Sequence, residues 1–487
     1  MSAQSAGSGD GPARLIVDAS TLVRWSGPPV GIVRVEAELI RWLLAHDPAA
    51  IVSVYDTRSN RFRPLDRAVA RALVAGSAVV ETSVMPDARR TEHTLLGSWA
   101  RRIGASLQPV LKIRRTLACA ADEWRRGADK TGRRRWRDRL VRSLLDARLR
   151  SRALLPDGTW RDLYRLETVL GPSLQLGPND TVLLAGLDWN NKNVEALARL
   201  KDQGGFRLVM MCYDFIPWKF PKFYAARDVD VFTGFFHDAI GFVDRFISIS
   251  QCTTADLVAF ARGRGRTGLD VCNEQLGADA ARQLTDVSAA LPSGLEAGRY
   301  VLFVSTVEPR KNHALLLRVW KRLAGGEGRG TGGFKLVFAG RRGWMTDDVF
   351  AAMASNAVLS RDVVHVVNAS DETLHRLYSG AAFCVYPSLY EGFGLPVIEA
   401  FAHGKPVIAS SAGALPEAAG GLAPCLAPDD DDAWTETMGR WLNDSALVAE
   451  QARRIGSEFS WPTWSEAAAR IIAVARARPD AASRPKA

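Results

Sequence analysis

Residues 390–404 read YEGFGLPVIEAFAHG and come three residues after Phe383–Tyr386 (FCVY), an apolar run of strand length. Pro396 suits the first position of a helix and Gly404 its end, so the spacing predicts a strand, a glycine loop and a helix over 396–403. Gly392 and Gly394 permit close approach of the loop backbone to a ligand. The helix start offers free N–H groups and a positive dipole end, which suit a phosphate. Glu391 in the loop and Glu399 in the helix are eight positions apart and can reach different parts of one elongated ligand. Carboxylates accept hydrogen bonds from vicinal hydroxyls, as a ribose or a sugar ring presents them. A solvent-facing Glu399 is the competing reading. The position directly behind a buried strand favours a ligand site.

Outward from this segment the same alternation repeats. Tyr300–Ser305, Lys335–Ala339, Val363–Val366, Phe383–Tyr386 and Pro406–Ala409 read as strands, with helices running to Leu323 and over 371–380. A second series lies upstream: Arg14–Ala19, a helix from Ile32 to Leu44, then Ile51–Tyr55, Thr181–Ala185, Arg207–Cys212 and Arg245–Ser250. Residues 284–299 are small and polar, as a linker would be. The expected fold is α/β, with two doubly wound domains facing across a cleft at the carboxyl ends of their strands. Residues 1–13 are expected to be disordered, 14–290 to form the N-terminal acceptor domain with an insertion at about 85–175, and 291–458 the C-terminal domain. At the end of the strand opening that C-terminal domain stands Ser305-Thr306-Val307-Glu308-Pro309-Arg310-Lys311-Asn312. Arg310 as a planar fork and Lys311 as a point charge are suited to neutralise a diphosphate, and two exposed surface charges are the plainer alternative.

The 487 residues carry a formal charge of +10. Residues 89–152 hold 19 Lys+Arg against six Asp+Glu, which makes that segment +13 and leaves the remainder at −3. Within it Trp136, Leu140, Leu144 and Leu145 recur at helical spacing between arginines, the pattern of an amphipathic basic helical insertion. A solvated face and an anionic-surface patch are equally good readings of it. With 47% hydrophobic and 24% charged residues the chain is neither a wholly disordered polymer nor a disulfide-stapled mini-protein. The six cysteines form no CxxC pair and no Cys/His cluster, so no metal site is expected and a reducing, cytoplasmic setting is. Residues 1–13 lack the apolar core of a signal peptide, and no apolar run is long enough to span a bilayer.

The two strand-end clusters together resemble the retaining glycosyltransferases of family four, whose GT-B fold has two facing Rossmann-like domains. The resemblance rests on Glu391…Glu399 around GFGLP, on EPRKN at 308–312, on Ala339-Gly340 after a strand, and on Phe459-Ser460-Trp461. It covers roughly 300–475, is weaker over 14–60 and 180–275, and is absent over 85–175. It implies that Glu399 binds the ribose of a nucleotide donor, Glu391 the donor sugar, and Arg310 with Lys311 the diphosphate. Gly392, Phe393, Gly394, Leu395 and Gly340 would line the same donor, and the loop at Gly31 would approach its phosphates. Residues 459–478 would form a helix crossing back to the N-terminal domain, with 479–487 as a tail. Configuration would be retained without an enzyme nucleophile, so Glu391 and Glu399 are not read as an acid and nucleophile dyad. Many relatives carry a histidine where this chain has Tyr213, which leaves Asp214 as the group to face the reacting sugar. A simple strand-end Asp capping the next turn is the alternative for Asp214.

The leading expectation is a metal-independent and cofactor-free transferase of hexose, with mannose tried first, from a nucleotide sugar to a glycan. The acceptor is expected to be lipid-linked, in lipopolysaccharide-type synthesis, with 89–152 as the surface for an anionic inner membrane face. Flotation with anionic vesicles separates that role from a solvated face. A nicotinamide oxidoreductase would need a glycine fingerprint after the first strand, and residues 20–40 offer only Gly27 and Gly31. A nucleic-acid-binding protein would use the arginines with Trp124 and Trp136, but it leaves the Glu391 loop without a role, and no nucleic acid is expected as a partner.

Overall fold

The computed structural model describes residues 13–25, 31–81, 151–154, 160–278, 290–327 and 330–478. Most of the basic segment 89–152 and residues 279–289, which include the start of the linker 284–299, lie outside the described residues. The chain divides into two compact units, Met1–Leu15 with Gly177–Ala487, and Ile16–Leu176.

The larger unit contains two parallel sheets. The first has the order β10-β9-β8-β7, with β7 Thr181–Leu184, β8 Arg207–Cys212, β9 Arg245–Ser248 and β10 Val271–Asn273. The second has the order β13-β12-β11-β14-β15-β16, made of β11 Tyr300–Val304, β12 Lys335–Ala339, β13 Val363–Val366, β14 Phe383–Tyr386, β15 Val407–Ser410 and β16 Cys425–Leu426. These strands read as continuous apolar runs because helices cover both faces of a parallel sheet. Every residue of β8, β14 and β15 is buried. Strand order 12-11-14 reverses direction of winding at β11, and the ligand end of such a sheet is the carboxyl edge there.

The compact units do not follow the polar linker at 284–299, because segment 177–278 is bonded to the C-terminal half. Ser250 and Thr253 hydroxyls both donate to Gly392 O (2.6 and 3.1 Å), and Glu417 accepts the Gln251 and Cys252 N–H groups (2.8 and 2.7 Å). The helix Trp464–Arg476 opens with a capping box between Thr463 and Glu466. Its last carbonyls accept from Arg207 on β8 and Arg245 on β9, cations well placed for a helix C-terminus.

In the smaller unit β2 Ile51–Asp56 pairs parallel with β1 Leu15–Asp18 and antiparallel with β3 Arg61–Pro64. A separate sheet has the order β4-β6-β5, with β4 Ala78–Glu81, β5 Ser151–Leu154 and β6 Trp160–Arg165. The end of the insertion read as helical is thus β-structure. The partner of β6 is β4, whose paired residues lie 84 positions upstream, beyond any local periodicity. Among the described residues no helix is long and apolar enough to cross a membrane.

Candidate functional site

The loops after β11 and β14 meet at one cluster of charge. The Glu391 carboxylate accepts from Arg310 Nη1 at 2.7 Å and from Lys311 Nζ at 2.5 Å, and Arg310 Nη2 also reaches Glu308 Oε1 at 2.6 Å. Arg310 Nη1 additionally holds Tyr390 O at 2.7 Å, while its buried Nε has no hydrogen-bond partner. Arg310 and Lys311 are therefore not exposed surface charges, with side chains only 12% and 14% accessible. Burial alone would push the Glu391 pKa up, but Arg310 and Lys311 outweigh it and hold the carboxyl at about 2. The same carboxylates overcome the burial of Arg310 and strengthen its hold on the proton.

This arrangement has a consequence for pH. The folded-state pKa of Glu391 lies below its ordinary value of 4.5, so its stabilising contribution is present above that value and is lost as pH falls toward about 2. Glu391→Gln should accordingly flatten the loss of urea resistance between about pH 5 and about pH 3 relative to the parent protein. Equal slopes for the two proteins would count against the ion pair.

The backbone of the loop is fixed from three sides. A Cβ on Gly392 would lie 2.3 Å from Tyr213 O and 2.8 Å from Asp214 Cβ, so this glycine lets the loop pack against the end of β8. Gly394 has φ +114° and caps the helix Leu395–Ala402, which starts one residue earlier than the sequence pattern predicts, with Pro396 second. Gly413, on the loop after β15, would place a Cβ 2.5 Å from Glu391 O, and Ala414 N–H donates to that same oxygen at 2.9 Å. Tyr390 is anchored by its hydroxyl, which donates to Asp256 and receives Lys219 Nζ at 2.9 Å, with Lys219 also paired to Asp256 at 2.6 Å. Neither Gly413 nor the Tyr390–Asp256–Lys219 group was visible to motif reasoning, since the partners stand more than a hundred residues from Tyr390.

Asp214 caps the turn that follows β8. Its carboxylate accepts from Ile216 N–H at 3.0 Å, which caps the short turn Ile216–Lys219, and it lies within electrostatic reach of Arg310, Lys311 and Glu391. Burial pushes its pKa up, and Glu391 adds to this against the opposing Ile216 N–H, Arg310 and Lys311. Two neighbouring carboxyls thus have their proton affinities driven apart. Tyr213, standing where a histidine was expected, donates its hydroxyl to Ala185 O at 2.6 Å.

Glu399 stands apart from this charge cluster. Its Oε2 accepts from Tyr378 OH at 3.1 Å, and His403, stacked on Tyr378, bonds Glu399 O through Nδ1 at 2.7 Å. Burial lowers the His403 pKa to about 4, so this imidazole is neutral near pH 7. Gly340, with φ +154°, would place a Cβ 2.0 Å from Ser305 O, so it lets the loops after β11 and β12 touch. Phe393 is buried against Trp461, their ring centroids 6.1 Å apart, and Leu395 opens the helix. Gly31 caps the helix Ile32–His46 with φ +54° and belongs to the smaller compact unit.

Residues 293–458 match the family described as glycosyl transferases group 1. Over this segment the chain is similar to that family. The segment carries Arg310, Lys311, Gly340, Glu391 and Glu399, while Gly31 and Asp214 precede it. The chain is similar to O-antigen chain mannosyltransferase B of Escherichia coli, at 34% identity over 165 residues, 33% of this chain and 42% of that protein. It is also similar to the serotype-specific mannosyltransferase WbdA of Escherichia coli, at 29% identity over 235 residues, 46% of this chain and 28% of that one. The chain spans less than half the length of either relative. Among solved structures, HepE of Anabaena in complex with UDP and glucose aligns with a TM-score of 0.52 at 14% identity, over 95% of this chain and 99% of that one. At that identity the likeness is one of fold, the GT-B type with two Rossmann-like α/β domains.

Proposed function

We propose that the protein is a retaining glycosyltransferase that moves a hexose, mannose in the first instance, from a nucleoside-diphosphate sugar to a glycan acceptor in polysaccharide synthesis. The observation that carries this reading is the Glu391 carboxylate held between Arg310 and Lys311 at the carboxyl ends of β11 and β14. A carboxylate in an arginine fork marks where an anion is favoured, and the partnerless Arg310 Nε is a donor in reserve for one with more oxygens. A diphosphate brings more negative charge than Glu391 and takes over both cations, which frees Glu391 to accept hydrogen bonds from sugar hydroxyls. Glu399, oriented by Tyr378, accepts from the ribose. The mannosyltransferase names of the two Escherichia coli relatives make mannose the first sugar to try.

In the transfer step the bond from the sugar C1 to the diphosphate oxygen breaks, and a bond from C1 to the acceptor oxygen forms on the same face. The acceptor proton passes to the departing phosphate oxygen, so no carboxylate acts as a nucleophile. Arg310 and Lys311 meet the charge that develops on the leaving diphosphate, and fixed cations in a partly dehydrated site need no reorganisation to do so. Thermal-shift measurements with GDP, UDP, dTDP and their hexose conjugates test the reading. One nucleotide series should raise the melting temperature, since a ligand at a hundred times its Kd adds about 2.7 kcal/mol of apparent stability. If none of them stabilises the protein, the donor-site assignment falls.

A further inference from the structure

Among the described residues four large hydrophobic side chains are exposed, and two of them are consecutive: Trp344 at 42% and Met345 at 68%. Both lie on the loop after β12. Met345 has φ +52°, a left-handed conformation that bulky residues rarely adopt. Such conformations persist where the surroundings impose them, and often at ligand sites. Here the surroundings are specific. Trp344 Nε1 donates to Phe223 O at 2.6 Å, and Gly343 N–H donates to Val307 O at 2.8 Å in a contact that leaves no room for a Cβ. The indole lies 5.9 Å from the Tyr224 ring, tilted at 45°, and the Tyr224 hydroxyl stands beside the Arg310 guanidinium. An aromatic surface therefore runs from the charge cluster out to solvent.

We propose that Trp344, backed by Tyr224, is a pyranose-stacking subsite at the rim of the Arg310–Lys311–Glu391 cluster, and that it takes a hexose unit of the glycan acceptor. The proposal rests on the transferase reading above. An exposed aromatic face fixed in one orientation suits the apolar C–H face of a neutral sugar ring, and ordering it in advance lowers the cost of binding. With its N–H committed to Phe223 O, the indole offers its ring and not a hydrogen bond. Phe223 and Tyr224 belong to the segment after β8 that carries Asp214, and Trp344 to the loop after β12 within 293–458, so the platform is built from both segments that meet at the charge cluster. A neutral aromatic platform offers nothing to a phosphate, which makes a neutral hexose of the acceptor its occupant.

Saturation-transfer NMR on the full chain, with a panel of α- and β-linked manno-, gluco- and galacto-trisaccharides, tests this. At least one trisaccharide should bind. Trp344→Ala should weaken it about tenfold or more, and Trp344→Phe should keep it within about threefold, because the ring and not the N–H does the stacking. GDP and UDP affinities should be the same in all three proteins. The proposal is overturned if no trisaccharide binds, if Trp344→Ala leaves binding intact, or if Trp344→Phe loses as much as Trp344→Ala. It is also overturned if Trp344→Ala weakens the nucleotide, which would make the indole a base platform. Trisaccharide binding without any nucleotide binding would instead sink the donor site and leave the stacking subsite standing.

Discussion

Lys311→Ala should lower sugar transfer by about two to three orders of magnitude while the protein remains folded. Removing one fixed charge donor from the developing anion of a transfer reaction costs about 3–4 kcal/mol of transition-state stabilisation. Folding is much less affected, because the Glu391 carboxylate keeps its 2.7 Å bond to Arg310 Nη1 and so is not left buried without a partner. Rates of nucleotide release from the sugar donor, alongside circular dichroism and melting temperature, separate the two effects. The loss should be larger in kcat than in donor KM, since the diphosphate gains charge as the bond breaks. Transfer at near-parental rate in Lys311→Ala would remove Lys311 from the mechanism. Lys311→Arg, which restores the charge with different geometry, should recover part of the rate.

Gly392→Ala should be the most damaging single methyl in the donor loop. Its Cβ would stand 2.3 Å from Tyr213 O and 2.8 Å from Asp214 Cβ, and the first of these neighbours is backbone at the end of a buried strand. Neither side can give way cheaply. Gly392 O is already held by the hydroxyls of Ser250 and Thr253, and the Tyr213 carbonyl by Thr253. Overpacking of this kind costs about 1–3 kcal/mol, and here it also separates Asp214 from Glu391, so activity should fall further than stability. Gly404→Ala is the control. Gly404 has φ +67° but open space around it, so alanine there should cost only about 1 kcal/mol of backbone strain and leave activity near the parental level. Urea midpoints for the two variants that were equal would contradict the packing role assigned to Gly392.

The candidate site was legible in the sequence to an uneven degree. Strands β8, β12, β13 and β14 coincide with the runs expected for them, and β8 and β14 are buried along their whole length, as strands covered on both faces are. Arg310, Lys311 and Glu391 could be singled out because each sits a few residues past such a run, and Glu399 because it stands in the helix that follows the Glu391 loop. The packing role of Gly392 was not legible. A glycine loop signals close approach, but only the coordinates show that the backbone of Tyr213 is one of the approaching groups. The strands at 151–154 and 160–165 were missed because β6 is completed by β4, and hydrogen bonding between remote segments leaves no local period.

The net charge of +10 remains the sum of a basic segment, 89–152, and a slightly acidic body. By itself the sequence determined the α/β class, the two strand-end clusters and the residue types able to bind an anionic, hydroxyl-rich ligand. These are properties of adjacent residues, written in hydropathy and spacing. Tertiary structure alone decided that Glu391 is paired with Arg310 and Lys311, that Asp214 and Glu391 are driven to opposite protonation tendencies, and that Tyr390 is anchored on Asp256 and Lys219. It also decided that Trp344 stands exposed beside Tyr224. Charge, desolvation and ring contact depend on distance in space, and the side chains that set them lie tens to hundreds of residues apart along the chain.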